Sequence, residues 1–150
     1  MSQYRFELDM YTDGSCKPFG FGAYAAYMQW GTAYNVIYQA FANTTIGRME
    51  LQAVVAGLEA LTDPSVVHLH SDSQYVVNTI SAGWIWNWAK KGWAKADGNP
   101  VKHRDLMERL IVQLLRHKVD ANWVPGHAGV WQNELCDSIA QKAASALAAA

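Results

Sequence analysis

Cysteine, proline and long apolar runs are all scarce in this chain of 150 residues. It has two cysteines and four prolines. No apolar run approaches the roughly 20 residues that a membrane-spanning helix needs, and the first residues do not form the basic and apolar segments of an export signal. Two cysteines are too few for a disulfide framework and lack the spacing of metal ligands. We therefore expect a cytoplasmic protein without a membrane partner, with free thiols at Cys16 and Cys136.

The composition is that of an ordinary globular protein. Hydrophobic residues make up 51% of the chain and charged residues 17%. A chain of this length can bury roughly two-thirds of its unfolded surface in one core. We therefore expect a single domain, residues 1–150, that acts as a monomer.

The net charge of −1 hides an uneven distribution along the chain. Residues 1–83 hold more than twice as many acids as bases, whereas residues 84–118 are strongly basic. The bases of that segment are Lys90, Lys91, Lys95, Lys102, Arg104, Arg109, Arg116 and Lys118. This separation is typical of an enzyme that processes a polyanion beside an acidic site, although a solvated helix face remains an equal alternative.

Hydrophobic periodicity predicts ten main elements in the order β-β-β-α-β-α-α-α-β-α. Three strands up to about residue 41 form an antiparallel meander, and a helix follows over 48–62. The strand 65–72 precedes two short helices, and a helix over 101–118 carries an apolar stripe of Leu106, Leu110, Ile111, Leu114 and Leu115. A last strand and a last helix over 131–149 complete the α/β pattern. Gly57 lies inside a helix, which indicates a close approach by a neighbouring element.

Two acids, Asp13 and Asp72, fall at the ends of the first and fourth strands. Strands that follow helices tend to join a sheet in parallel, so the predicted five-stranded mixed sheet has strands one and four side by side. Ligand sites of open α/β sheets lie at the carboxyl ends of the strands. For either acid alone, an ordinary turn-forming role is the competing interpretation.

Glu50 and Asp137 can reach the same edge of the sheet, Glu50 from the first turn of its helix and Asp137 from about two turns into the last one. Like charges about 4 Å apart repel by roughly 4 kcal/mol at an effective dielectric constant near 20, so such a cluster must take up protons or cations. Ligands that are all oxygen favour Mg²⁺ or Mn²⁺. Two such ions roughly 4 Å apart are an established arrangement for phosphodiester hydrolysis.

Seven segments in order along the chain resemble type 1 ribonucleases H. They are YTDGSC, GRMELQAVVAGLEAL, HSDSQYV, GWIWNWAKKGW, PVKHRDL, WVPGHAG and NELCDSIA. The resemblance implies the ribonuclease H-like fold and an endonuclease that hydrolyses the RNA strand of RNA/DNA hybrids, leaving 5′-phosphate and 3′-hydroxyl ends. It also implies two Mg²⁺ ions, with Mn²⁺ as a substitute, held by Asp13, Glu50, Asp72 and Asp137.

The same resemblance implies further site residues. His127, in a glycine-flanked loop, would assist proton transfer or product release, although a lone histidine is more often a surface residue. Trp84, Trp88, Lys90, Lys91 and Lys95 would contact the DNA strand as a basic protrusion, although tryptophans at helical spacing are usually core. Thr45 and Asn87 would hold a DNA phosphate.

The chain departs from the family where RNA is distinguished. Many relatives carry two amide side chains before the Arg-Met-Glu segment, and this chain has Ile46 and Gly47. The glycine-rich loop CKPFGFGAY is short and lacks the usual asparagine, whereas Gln74 is retained. Our hypothesis is that backbone groups of Gly14, Ser15 and Cys16 supply part of this recognition, with weaker substrate binding and unchanged chemistry.

Two other classes of function remain open at this stage. A transposase or junction resolvase could use the same fold, since a fold does not dictate its chemistry. A binding module without catalysis is a second alternative, and a retroviral-type ribonuclease H domain is a variant of the first interpretation. The tryptophan segment and the four acids favour a free-standing hybrid-cleaving enzyme.

Overall fold

The computed structural model describes residues 3–126 and 128–150 and contains one five-stranded mixed sheet. Its strand order is β3-β2-β1-β4-β5. The first three strands pair antiparallel, and β4 and β5 pair parallel to β1 and β4. The strands are β1 Phe6–Cys16, β2 Gly22–Trp30, β3 Ala33–Phe41, β4 Ser65–Ser71 and β5 Lys118–Trp123. The predicted fold class and the adjacency of strands one and four are confirmed.

Helices cover both faces of the sheet. They are α1 Ile46–Glu59, α2 Gln74–Ser81, α3 Trp84–Lys90, α4 Arg104–Arg116 and α5 Trp131–Ala148. The larger apolar core lies between one face and α1 and α4, and it includes Met10, Leu69 and Leu110. A smaller core joins α5 to β1 and β2 through small residues such as Ala25 and Ala140. Within the described ranges, none of the helices combines the length and apolar character of a membrane span.

Close packing explains the glycine inside α1. A Cβ atom added to Gly57 would lie 2.8 Å from Met10 Sδ and 3.3 Å from Ala26 Cβ. Helix α1 therefore packs closely on β1 and β2, as the glycine in the sequence predicted.

Several predicted details differ from the structure. Strand β1 continues through Asp13 to Cys16, because its last residues pair with β2. Helix α4 begins at Arg104 instead of residue 101, since His103 adopts a left-handed conformation with φ of 59°. Leu115, predicted on the apolar stripe, is 75% exposed, because it lies around the helix from buried Leu106 and Leu110.

Candidate active site

The register of the parallel strands brings Asp13 and Asp72 together. The last parallel pair joins Thr12 of β1 to Ser71 of β4. Asp13 and Asp72 are the next residues on the two chains, so both lie at the carboxyl edge of the parallel pair. Asp13 remains fixed within β1 by its antiparallel pairing with Ala25 of β2.

Gly14 allows α1 to approach this edge closely. A Cβ atom at position 14 would lie 2.6 Å from Glu50 N and 2.7 Å from Met49 C. The backbone of α1 therefore packs directly against the end of β1, which carries Glu50 toward Asp13. Glu50 is the fifth residue of α1, because the helix begins at Ile46, two residues before the predicted start at residue 48.

Helix α5 supplies the fourth acid. Its seventh residue, Asp137, follows Cys136, whose thiol donates a hydrogen bond to Tyr11 O over 3.3 Å. This contact holds α5 against β1 two residues before Asp13. Burial, with a smaller effect of the Asp13 charge, raises the pKa of the Cys136 thiol to about 12, so this side chain is a packing group and not a thiolate. Both cysteines are free, as predicted.

The pKa of Asp13 depends on burial and on the charges of the other three acids. Asp13 is only 5% exposed. Burial raises its pKa well above the ordinary value, and the charges of Asp72, Asp137 and Glu50 raise it further, against a hydrogen bond from Gly14 N over 2.9 Å. Burial and the Asp72 charge also raise the pKa of Glu50, while a hydrogen bond from Ser73 lowers it. The pocket therefore disfavours an additional negative charge and favours a cation.

The carboxylates are not arranged as a finished metal site. Among residues 3–126 and 128–150, no group of three or more His, Cys, Asp or Glu side chains could hold a metal ion as placed. Glu50 instead bonds with Ser73, and Asp137 Oδ2 accepts a hydrogen bond from Gln141 over 2.9 Å. A carboxylate can accept such a hydrogen bond and still bind an ion through its remaining lone pairs, so these contacts do not exclude a metal ion.

The predicted histidine, His127, lies outside the described residues. The residue before it, Gly126, is close to the acidic cluster, since a Cβ atom there would be 3.3 Å from Asp72 Oδ2. Trp123 Nε1 also donates a hydrogen bond to Asp72 O over 3.1 Å. The chain thus passes beside Asp72 just before position 127, and the role of His127 stays a prediction.

The tryptophan segment forms an aromatic cluster that includes a residue not found by sequence reasoning. Tyr75 of α2 lies with its ring centre 6.2 Å from Trp88 and 6.3 Å from Trp84, and the two tryptophans are 6.1 Å apart. Trp88 packs partly against the main core, whereas Trp84 is 37% exposed. The signal for Tyr75 was its position directly after Gln74, on the first turn of α2.

The other predicted substrate-binding residues lie mostly on the surface. Thr45 is the N-cap of α1 and accepts a hydrogen bond from Arg48 N over 3.3 Å. It also lines a cavity of about 480 Å³ with Gly47, Tyr75, Lys102 and His103. Exposed side chains are Gln74, Asn87, Lys90, Lys91 and Lys95, and Ser15 and Cys16 are half-buried. Their contacts with a substrate stay predictions.

A mixed sheet of this strand order, with acids at the carboxyl ends of its two central strands, defines the ribonuclease H-like class of α/β folds. The profile of the RNase H family matches residues 6–145. Ribonuclease H of Oleidesulfovibrio alaskensis is 45% identical over 141 residues, covering 93% of this chain and 91% of the relative. Ribonuclease H of Nitratidesulfovibrio vulgaris is 46% identical over 147 residues, covering 97% and 92%.

The solved structure of LC9-RNase H1, described as a type 1 RNase H with the type 2 active-site motif, shares the fold with a TM-score of 0.82. It is 24% identical and is matched over 93% of this chain and 72% of that chain. The chain therefore belongs to the RNase H family and is an enzyme of the ribonuclease H class.

Proposed function

We propose that this enzyme is an endonuclease that hydrolyses the RNA strand of RNA/DNA hybrids and leaves 5′-phosphate and 3′-hydroxyl ends. The observation that carries the proposal is the buried Asp13 carboxylate, whose pKa is raised by burial and by three further acids in a chain of this family. In the reaction, a water oxygen forms a bond to phosphorus and the bond from phosphorus to O3′ breaks. O3′ takes up a proton, so the phosphate stays on the 5′ side of the next nucleotide.

The four acids fit a pair of hard divalent cations by their donor chemistry. Asp13, Glu50, Asp72 and Asp137 offer only carboxylate oxygens, which suit Mg²⁺ and, as a substitute, Mn²⁺. When bound, such ions supply Lewis acidity that activates water and stabilises the leaving oxygen. Asp13 is fixed in the sheet, while Ser73 and Gln141 hydrogen-bond to Glu50 and Asp137 and would orient these two carboxylates.

Different parts of the surface around the acids would contact the two strands of the hybrid. Trp84, Trp88 and Asn87 on α3 and the lysines at positions 90, 91 and 95 would contact the DNA strand, and Thr45 would hold one of its phosphates. Backbone groups of Gly14, Ser15 and Cys16, together with Gln74, would read the RNA strand across the minor groove, where 2′-hydroxyls distinguish RNA from DNA.

Cleavage of defined substrates tests this proposal. Labelled RNA/DNA hybrid, duplex RNA and duplex DNA are incubated with Mg²⁺, Mn²⁺ or chelator, and product ends are mapped with end-specific enzymes. We expect cleavage of the hybrid alone, dependent on the ion. Asp72→Asn should lose at least about 10³-fold in rate, the equivalent of several kcal/mol of electrostatic stabilisation.

Asp63→Asn serves as the matched control, because Asp63 pairs with Arg5 outside the acidic cluster. It should keep wild-type activity. Equal cleavage of duplex RNA, activity in chelator, or an active Asp72→Asn variant would each contradict the proposal.

A further inference from the structure

Phe19 combines two unfavourable features in the loop that follows β1. Its side chain is 93% exposed, and its backbone is left-handed, with φ of 67°. A single exposed apolar side chain is ordinary on a protein surface. Positive φ in a bulky residue other than glycine is a genuine outlier, and such strain persists where the surrounding structure enforces it.

The loop around Phe19 is fixed by hydrogen bonds on both sides. Lys17 N donates to Phe21 O over 2.6 Å, which closes the turn, and Thr44 N donates to Gly20 O over 2.9 Å. The Cys16 thiol contacts Thr44 O at 3.6 Å. A Cβ atom at Gly20 would lie only 3.3 Å from Asn43 Cα. The hydrogen-bonded backbone of this loop therefore holds the Phe19 side chain outward, toward solvent.

The loop that carries Phe19 adjoins the candidate active site. The loop leaves β1 directly after the segment Gly14–Cys16 and is bonded to Thr44, which precedes the N-cap of α1. The first residue of α1, Ile46, is 47% exposed. Phe19 and Ile46 thus present apolar surface on the two segments that lead to and from the acids, whereas the exposed lysines that suit phosphates lie on and after α3.

We propose that Phe19, together with exposed Ile46, packs against the sugar edges of the minor groove of the bound hybrid and is a further binding residue of this enzyme. The inference rests on the proposed function, which supplies the hybrid as the occupant. Apolar side chains cannot neutralise phosphates, but they pack well on sugars and base edges in a wide, shallow minor groove.

Steady-state kinetics on the RNA/DNA hybrid test the contact. Phe19→Ala should raise KM roughly tenfold, the size of one stacking contact, while kcat stays within about twofold. Phe19→Leu should fall between wild type and alanine, and Ile46→Ser should also raise KM. Tyr38→Ala is the matched control, because Tyr38 is an exposed aromatic residue on β3, and its KM should equal that of wild type.

Phe19→Gly separates binding from folding. Glycine adopts positive φ without strain, so this variant should melt about 4 °C higher than wild type while its KM rises as in Phe19→Ala. A structural role for Phe19 predicts the reverse, a lower melting temperature and an unchanged KM for the variant. That result, or a wild-type KM in Phe19→Ala, would overturn the proposal.

Photo-crosslinking in chelator keeps this test independent of cleavage. A photoreactive phenylalanine analogue at position 19 should crosslink to the hybrid, and the same analogue at position 38 should not. An inactive wild-type enzyme would refute the proposed function, whereas an active enzyme without a crosslink at position 19 would refute this contact alone. If the wild type is inactive, the presence or absence of the crosslink still decides whether Phe19 touches the hybrid.

Discussion

Gly14 and Gly57 are both sites of close packing on α1, yet their surroundings differ. A Cβ atom at Gly14 would meet backbone atoms of Met49 and Glu50 at 2.6–2.7 Å, and neither can move without the helix. At Gly57 the nearest atom, at 2.8 Å, is Met10 Sδ, which belongs to a flexible side chain. Gly14 therefore sets the distance between α1 and β1 where Glu50 and Asp13 approach each other.

Gly14→Ala should separate these two acids. We expect a loss of about 1–3 kcal/mol in the free energy of unfolding, as for other overpacked sites, and a fall in kcat of about 10²-fold, because a displacement near 1 Å at a catalytic group has that effect. Urea unfolding and hybrid cleavage measure the two losses. Gly57→Ala is the control and should keep its activity. Alanine favours a helix by up to about 1 kcal/mol over glycine, which offsets the cost of shifting the Met10 side chain. A fully active Gly14→Ala enzyme would show that Gly14 does not set the site geometry.

At the scale of elements, α1 and α4 are joined by a bidentate ion pair between Arg48 and Asp105. Arg48 Nη1 and Nη2 donate to the two oxygens of Asp105 over 3.1 and 2.5 Å. The hydrogen bond from Arg48 lowers the pKa of Asp105 to about 2. Because the Asp105 side chain is 61% exposed, solvent screening limits the contribution of the pair to about 1 kcal/mol. The pair links the helix that carries Glu50 to the long helix of the basic segment.

Asp105→Asn should remove this contribution in a pH-dependent manner. The folded pKa lies below the unfolded value of about 3.9, so the stabilisation is complete above about pH 4 and is lost as the pH falls toward 2. Urea unfolding should show wild type more stable than the variant by about 1 kcal/mol at pH 5–7, with the difference closing near pH 2. Asp63→Asn should differ little at any pH, since its contact with Arg5 is 3.8 Å long. A gap that persists at pH 2 would rule out ionisation of Asp105 as its cause.

The elements are predictable from the sequence because their periodicity is local. The alternation in β1 and the spacing of Leu106 and Leu110 follow from which face is buried, and both patterns were recognised correctly. The extension of β1 to Cys16 was missed, because it depends on pairing with β2. Tyr75 was missed for a similar reason, since its contacts with Trp84 and Trp88 arise from the packing of α2 on α3.

Some properties of the candidate site can be predicted from the sequence, and others depend on the folded structure. Asp13 and Asp72 could be placed together from strand order alone, which the register confirms. The pKa of Asp13 could not be inferred, because it depends on burial and on charges from α1, β4 and α5. The strained backbone of Phe19 also has no sequence signal, since phenylalanine gives no indication of positive φ.

At the scale of the whole molecule, charge is separated between the acidic edge of the sheet and a surface of exposed lysines. Several arginines of the basic segment are already engaged, Arg104 with Glu108 and Arg109 with Glu59. Lys90 and Lys91 at the end of α3 and Lys95 beyond it are exposed. In the part of the chain that the structure describes, none of the three has an ion pair. These lysines are therefore available to a polyanion.

Neutralising this surface should change the salt dependence of hybrid binding. Each phosphate contact releases counterions, so the logarithm of the binding constant falls with the logarithm of salt concentration by about 0.9 per contact. The triple variant Lys90→Ala, Lys91→Ala, Lys95→Ala should flatten this slope by about 2–3 when binding is measured by anisotropy in chelator. Lys142→Ala, an exposed lysine on α5, should keep the wild-type slope. An unchanged slope in the triple variant would mean that the phosphates lie elsewhere, because a lysine that meets no phosphate releases no counterion.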